Sequence, residues 1–102
     1  MELIKKQAVI DELRSKLELW KNACGVAHID VYQHYQNGDL CYLGFQLSKQ
    51  TRNFQIYLPY LIYDEEQLMP LTPIWTIEQS DNPIKKGFEN VEQVISSILI
   101  AS

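Results

Sequence analysis

The sequence predicts an α+β fold: a two-layer sandwich in which an N-terminal and a C-terminal helix pack on one face of a four-stranded antiparallel meander, in the order α-β-β-β-β-α. Three observations lead there. Apolar residues recur at helical spacing over residues 3–20 and again over 91–99, whereas between those segments the apolar period is two. The middle of the chain is punctuated by Asn37-Gly38 and by Pro59, Pro70, Pro73 and Pro83, which break it into short strands. Helices with one apolar stripe and a sheet with one apolar face close a core most simply as two layers.

The first helix is expected from Glu2 to about Ala23. Leu3, Ile10, Leu13, Leu17 and Trp20 fall along one stripe, which Ile4, Ala8 and Val9 widen. Glu12 and Lys16 form a favourable i,i+4 pair, Lys21 suits the negative end of the helix dipole, and Gly25 is placed to end the helix in the left-handed conformation.

Residues 28–35 and 39–47 then flank Asn37-Gly38, a strong hairpin signal. A two-residue turn would mix apolar and polar side chains on each face. A three-residue loop, Gln36-Asn37-Gly38, pairs Tyr35 with Asp39 and makes Tyr32 and Tyr42 cross-strand partners. One face then carries Ile29, Val31, Cys41, Leu43, Phe45 and Leu47; the other carries His28, Asp30, Tyr32, His34, Tyr42 and Gln46. A third strand starts at Phe54, with Pro59 marking its end, a bulge or an unpaired edge. Asp64-Glu65-Glu66-Gln67 reads as a solvated loop or one helical turn. The fourth strand is expected over Ile74 to Gln79, Trp75 and Ile77 facing in, Thr76 and Glu78 out. Ser80-Asp81-Asn82-Pro83 reads as a turn and Gly87 as a further break. The last helix runs from Val91 to about Ile100, with Asn90 and Gln93 as a capping box and Phe88 fastening its start to the core.

At 102 residues, with 46% hydrophobic content, the chain supports one domain. No apolar run reaches the roughly 18 residues of a membrane-spanning helix. The first residues lack the apolar block of a secretory signal, so the expected place is the cytoplasm. Nine basic against 13 acidic residues give a formal charge of −4, which argues against a generic nucleic-acid binder. Cys24 and Cys41 have no zinc-finger or CxxC spacing and read as buried, reduced thiols.

The motifs of the commonest nucleotide, metal and hydrolase sites are absent, and no cofactor is expected. His28, Asp30 and His34 share a strand face. However, His34 lies about 20 Å from His28, at roughly 3.3 Å per residue, and two ligands are too few for an ion. Cys41 and His34 would make a thiol–imidazole pair only in the two-residue register; in the register adopted they point to opposite faces. Asp64-Glu65-Glu66 lacks the calcium-loop pattern and reads as a solvated turn.

Tyrosine is the more informative residue. Six lie between residues 32 and 63, and three of them, Tyr32, Tyr42 and Tyr57, belong to the face turned away from the helices, together with His34. Tyrosine combines a rigid apolar body with a polar tip and is enriched where proteins meet. It also stabilises open sheets unaided through cross-strand pairs. The sequence reading is therefore a non-enzymatic protein-interaction module, an adaptor, regulator or inhibitor, self-associating as a homodimer through Tyr32, His34, Tyr42 and Tyr57 or through the strand edge near Pro59. An acidic surface would also favour a basic protein partner. The alternatives are a small-ligand or single-stranded RNA-binding domain, for which only Lys49 and Arg52 lie near the tyrosines, and less readily a minimal enzyme.

Overall fold

In the computed structural model, residues 3–36, 38–49, 51–79 and 82–100 are described. The chain is α+β, but its sheet is larger and more curved than a four-stranded meander. In chain order it forms β1 (Ile4–Lys5), α1 (Lys6–Ser15), α2 (Leu17–Cys24), β2 (His28–Tyr35), β3 (Leu40–Lys49), β4 (Arg52–Ile62), β5 (Gln67–Pro70), β6 (Trp75–Gln79), β7 (Asn82–Phe88) and α3 (Val91–Ile100). All strand pairs are antiparallel. The two-layer sandwich with four strands and two helices is thus replaced by a curled, half-barrel sheet of seven strands and three short helices.

The difference begins at β4. Ten of its eleven residues pair with β3 along one side, but along the other they serve two partners. Residues 54–57 pair with β6, and residues 60–62 with β5, which in turn holds β1. Pro59 lies at the changeover. It is neither a strand end nor at an edge: it sits opposite Tyr42, and its carbonyl accepts the Leu71 N–H at 3.3 Å. A strand residue turns its N–H and C=O to the same side, so the missing proline donor faces the gap between β5 and β6, and the β3 ladder loses no bond. The four strands anticipated from the sequence do follow one another as neighbours β2, β3, β4 and β6; β1, β5 and β7 are additions.

The N-terminal helix is also divided. Ile4–Lys5 joins the sheet instead, and the helix breaks at Lys16, whose N–H returns to the Leu13 carbonyl at 3.1 Å. A straight rod cannot follow a concave sheet; the break lets Ile10 and Leu13 on α1, and Trp20 and Cys24 on α2, all reach buried positions. Gly25 ends α2 at φ 66°, ψ 38°, and Glu12–Lys16 forms its ion pair at 3.0 Å, both as the sequence indicates. Asn90 accepts the Gln93 N–H at 2.9 Å at the start of α3, which presents Val94 and Ile98 to the core.

The hairpin keeps the expected faces but not the expected partners. Gln36 donates to the Leu40 carbonyl at 3.1 Å, so the connection closes one residue later and Gly38, at φ 94°, lies inside the loop. Tyr35 then faces Cys41, Tyr32 faces Gly44, and His34 faces Tyr42. The slip from the expected register is two residues, and an even slip leaves every side chain on its face. Cys41, Leu43, Phe45, Leu47, Phe54, Ile56, Leu68 and Ile77 accordingly line the buried side, where Trp20 lies on Phe45 at 4.5 Å between ring centroids and 5.9 Å from Trp75. Asn37, Gln50, Ser80 and Asp81, parts of expected turns, lie outside the described residues, but Asn82 to Gly87 form most of β7 rather than a turn and a break.

Gly44 is the tightest point. A methyl group added there would collide with the Ile56 carbonyl oxygen and lie 2.7 Å from the Tyr57 Cα. Backbone, unlike a side-chain tip, cannot move aside without separating β3 from β4. Gly44→Ala is expected to cost about 3 kcal/mol, at the upper end of ordinary overpacking, read as a lowered urea midpoint. Gly38→Ala, with open space but a positive φ, should cost only about 1 kcal/mol.

Candidate functional site

The side of the sheet away from the helices carries an aromatic cluster built from three strands. In its central row Tyr32 on β2, Gly44 on β3 and Tyr57 on β4 lie side by side; in the next, His34, Tyr42 and Pro59. With no side chain on Gly44, the rings on either side of it meet. Tyr57 lies 5.7 Å from Tyr32 and 4.8 Å from Tyr42, and His34 stacks nearly parallel to Tyr42, 6.1 Å between centroids with 2° between planes. Tyr32 and His34 close the circuit at 6.2 Å. Such pairs are each worth about 0.5–1.5 kcal/mol beyond the area they bury.

All four site residues anticipated from the sequence therefore come together, although Tyr32 and Tyr42 are diagonal neighbours and not direct partners. Their exposure differs. Tyr57 is buried at 5% exposure beneath its neighbours, Tyr32 and Tyr42 are half-buried, and His34 is exposed. The outward-facing part is thus Tyr32, His34 and Tyr42, with Tyr57 as its floor.

Two polar residues that sequence reasoning did not assign to the site hold the phenols. Tyr57 donates to Glu78 Oε2 at 2.9 Å, and Tyr42 donates to Gln36 Oε1 at 3.3 Å. Glu78 was readable as outward-facing, but its proximity to Tyr57 depends on β6 pairing with β4. Burial first, then the hydrogen bond to Glu78 and the surrounding negative potential, push the Tyr57 phenol well above the usual tyrosine range. Tyr32 is raised too, by burial and by Glu78 and Tyr42.

The other candidates resolve differently. Cys41 and His34 lie on opposite sides of the sheet, and both cysteines are buried and free. Burial pushes the Cys24 thiol up to about 11 and also raises Cys41, in each case against a partial offset from a lysine. Neither is an activated thiolate. Asp64 uses its carboxylate to accept the N–H groups of Glu66 and Gln67, both at 2.8 Å, closing the turn into β5. Among the described residues no three His, Cys, Asp or Glu side chains gather as metal ligands, and no helix is long and apolar enough to cross a membrane. Lys49, counted in the sequence as a cation near the tyrosines, donates instead to the Ile98 carbonyl of α3 at 3.1 Å.

A separate crevice of about 150 Å³ opens on the buried side between α1 and the sheet, lined by Trp20, Phe45, Leu58, Tyr60 and Trp75 among others.

Residues 3–98 match the model of a family of unknown function (DUF5634), and the chain belongs to that family. No curated protein matches the chain.

The Tyr57 phenol gives a measurable pH dependence. Its folded-state pKa is raised, so its contribution is present below the unfolded tyrosine value of about 10 and is lost as pH rises through the folded value. Cys24 and Cys41, also raised, should start a decline in stability from about pH 8–9, and ionisation of the tyrosines should steepen it from about pH 10 upward; Tyr57→Phe should make the part above about pH 10 shallower in urea titrations.

Proposed function

We propose that this member of DUF5634 is a non-enzymatic protein-interaction module that associates with a second copy of itself through the outer, aromatic side of its sheet. The observation that supports this reading is the convergence of Tyr32, His34, Tyr42 and Tyr57 on the one sheet surface that the helices leave uncovered. Flat rings already fixed by their neighbours have little conformational freedom left to lose on association, and tyrosine is enriched in the buried centres of interfaces. A second copy suits a surface on which aromatic rings, an imidazole and nearby carboxylates lie close together, because a two-fold axis makes such a patch complementary to itself. An RNA-binding reading would need positive charge around the rings, and Lys49 is directed to α3.

Sedimentation equilibrium at micromolar concentration should give a mass near twice 11.9 kDa. Tyr32→Ala should weaken association about tenfold or more, a loss of roughly 1.4 kcal/mol, with an unchanged far-UV spectrum. A wild-type chain that stays monomeric throughout overturns the reading.

A second reading, binding of a small apolar molecule, has its own observation in the crevice beside Trp20 and Trp75, which are the chain's two tryptophans. A cavity near 150 Å³, lined mostly by aliphatic and aromatic side chains with the Glu12–Lys16 pair among its lining residues, has room for one benzene-sized ring. Saturable quenching or shift of tryptophan emission by toluene, abolished by Leu58→Trp, is the result expected of it; a linear, non-saturating response removes it.

A further inference from the structure

Among the described residues the sheet has three outer strands, and they are not equally protected against pairing with another chain. β1 is only two residues long. β7 includes Pro83, Lys85 and Lys86 in its sequence, and its ladder to β6 is broken by a register shift between Glu78 and Gln79. Shortness, proline, lysine and bulges are the usual means of blunting an edge. β2 has none of them. It is eight residues long, contains no proline, lysine or arginine, and runs in unbroken register from His28 opposite Ser48 to Tyr35 opposite Cys41. Among the described residues it pairs with β3 alone.

The polarity of that edge follows from one hydrogen bond. Gln36 donates to Leu40 across the hairpin. In an antiparallel ladder such bonded pairs alternate, so Asp30, Tyr32 and His34 turn their backbone groups toward β3, while Ile29, Val31, Gln33 and Tyr35 turn theirs to the open edge. The side chains of that second set point to the helix side. There Gln33 is exposed, Tyr35 is 48% exposed with Lys6 Nζ of α1 over its ring at 4.4 Å, and Ile29 and Val31 are only half-buried.

Only a few registers would let a second β2 add here antiparallel, and charge separates them. With the two-fold axis at Val31, Asp30 meets the partner's Tyr32 and His28 meets the partner's His34. With the axis at Gln33, Asp30 meets the partner's Gln36. With the axis at Tyr32, Asp30 faces the partner's His34 twice over, the two Tyr32 rings meet at the centre, and Tyr35 lies opposite the partner's Ile29 on the helix side. An axis at Ile29 also brings Asp30 to the partner's His28, but there only residues 28–30 of the two strands overlap; the axis at Tyr32 pairs carboxylate with imidazole along nearly the whole strand and covers exposed apolar surface as well.

We propose that two copies join by antiparallel pairing of their β2 strands about a two-fold axis at Tyr32, giving one continuous sheet with the aromatic clusters side by side. This rests on the self-association reading above, but places the contact at the β2 edge of the aromatic surface, not across its face. Backbone hydrogen bonds supply the attachment, as in β-strand addition generally, and the Asp30–His34 contacts fix the register.

Cysteine cross-linking under mild oxidation tests it. At an opposing non-bonded position, antiparallel Cα atoms stand about 4.5 Å apart, within disulfide range, and native Cys24 and Cys41 are buried. Tyr32→Cys should give a disulfide-linked dimer; Tyr42→Cys, one strand inward, should not. Independently, Asp30→His and His34→Asp should each weaken the dimer several-fold, and the double exchange should restore it. Cross-linking through Tyr42→Cys but not Tyr32→Cys, or a double exchange as weak as either single, overturns the β2 pairing while leaving self-association in place. A monomeric wild-type chain overturns both.

Discussion

The closeness of β3 and β4 at Gly44 is the constraint from which most of the remaining geometry follows. No Cβ fits at that position because the neighbouring strand's backbone occupies the space. A glycine there lets a sheet bend where any other residue would hold the strands apart. β4 serves β6 along one stretch and β5 along another, with Pro59 at the junction, where a missing donor costs nothing. The same glycine leaves the outer surface without a side chain between Tyr32 and Tyr57, and their rings close over the gap. The close approach of β3 to β4 and the contact of rings across β3 thus both depend on the absent methyl group.

The two sides of the sheet answer to different physics. On the buried side the helices are short and interrupted because the surface they cover is concave, and the packing centres on Trp20 against Phe45, with Trp75 beside them. Both thiols lie buried, and desolvation raises their pKa values and favours the protonated form. On the outer side no helix covers the rings, and they cover one another. Tyr57 gives up its exposure and ties its hydroxyl to Glu78, while Tyr32, His34 and Tyr42 keep part of their surface toward solvent. That partial self-burial stabilises the sheet and fixes the rings in one arrangement, and a surface fixed in advance loses less entropy when something docks on it.

For a chain of this size the unfinished edge matters as much as the face. A sheet that curls without closing retains its outer strands, and each exposes a row of backbone donors and acceptors. Here two of those strands carry protective features and the third, which bears Tyr32 and His34, does not. The aromatic cluster and the unprotected strand are adjacent, so association at either one would involve the other.

Much of this was legible in the residues themselves. Side-chain parity needs only the alternation of apolar and polar positions, so the buried set of Cys41, Leu43, Phe45 and Leu47 and the outer set of Tyr32, His34 and Tyr42 could be assigned before any partner strand was known. The termini of α2 and α3 were equally local, written in Gly25 and Asn90. What remained hidden was every feature set by an encounter between distant segments. The two-residue strand β1 has no periodicity to detect, and β5 and β7 are broken by proline and glycine in ways that imitate loops. The division of the first helix at Lys16 answers to the curvature of a sheet formed mostly by strands later in the chain. The partners of Tyr32 turned on whether the hairpin closed at Asp39 or Leu40, a choice that leaves every face unchanged and so leaves no trace in the alternation. Local sequence determined which way each side chain points, because that depends on backbone geometry alone; which side chains meet was decided by tertiary structure, because strand register and curvature are settled by packing across the whole sheet.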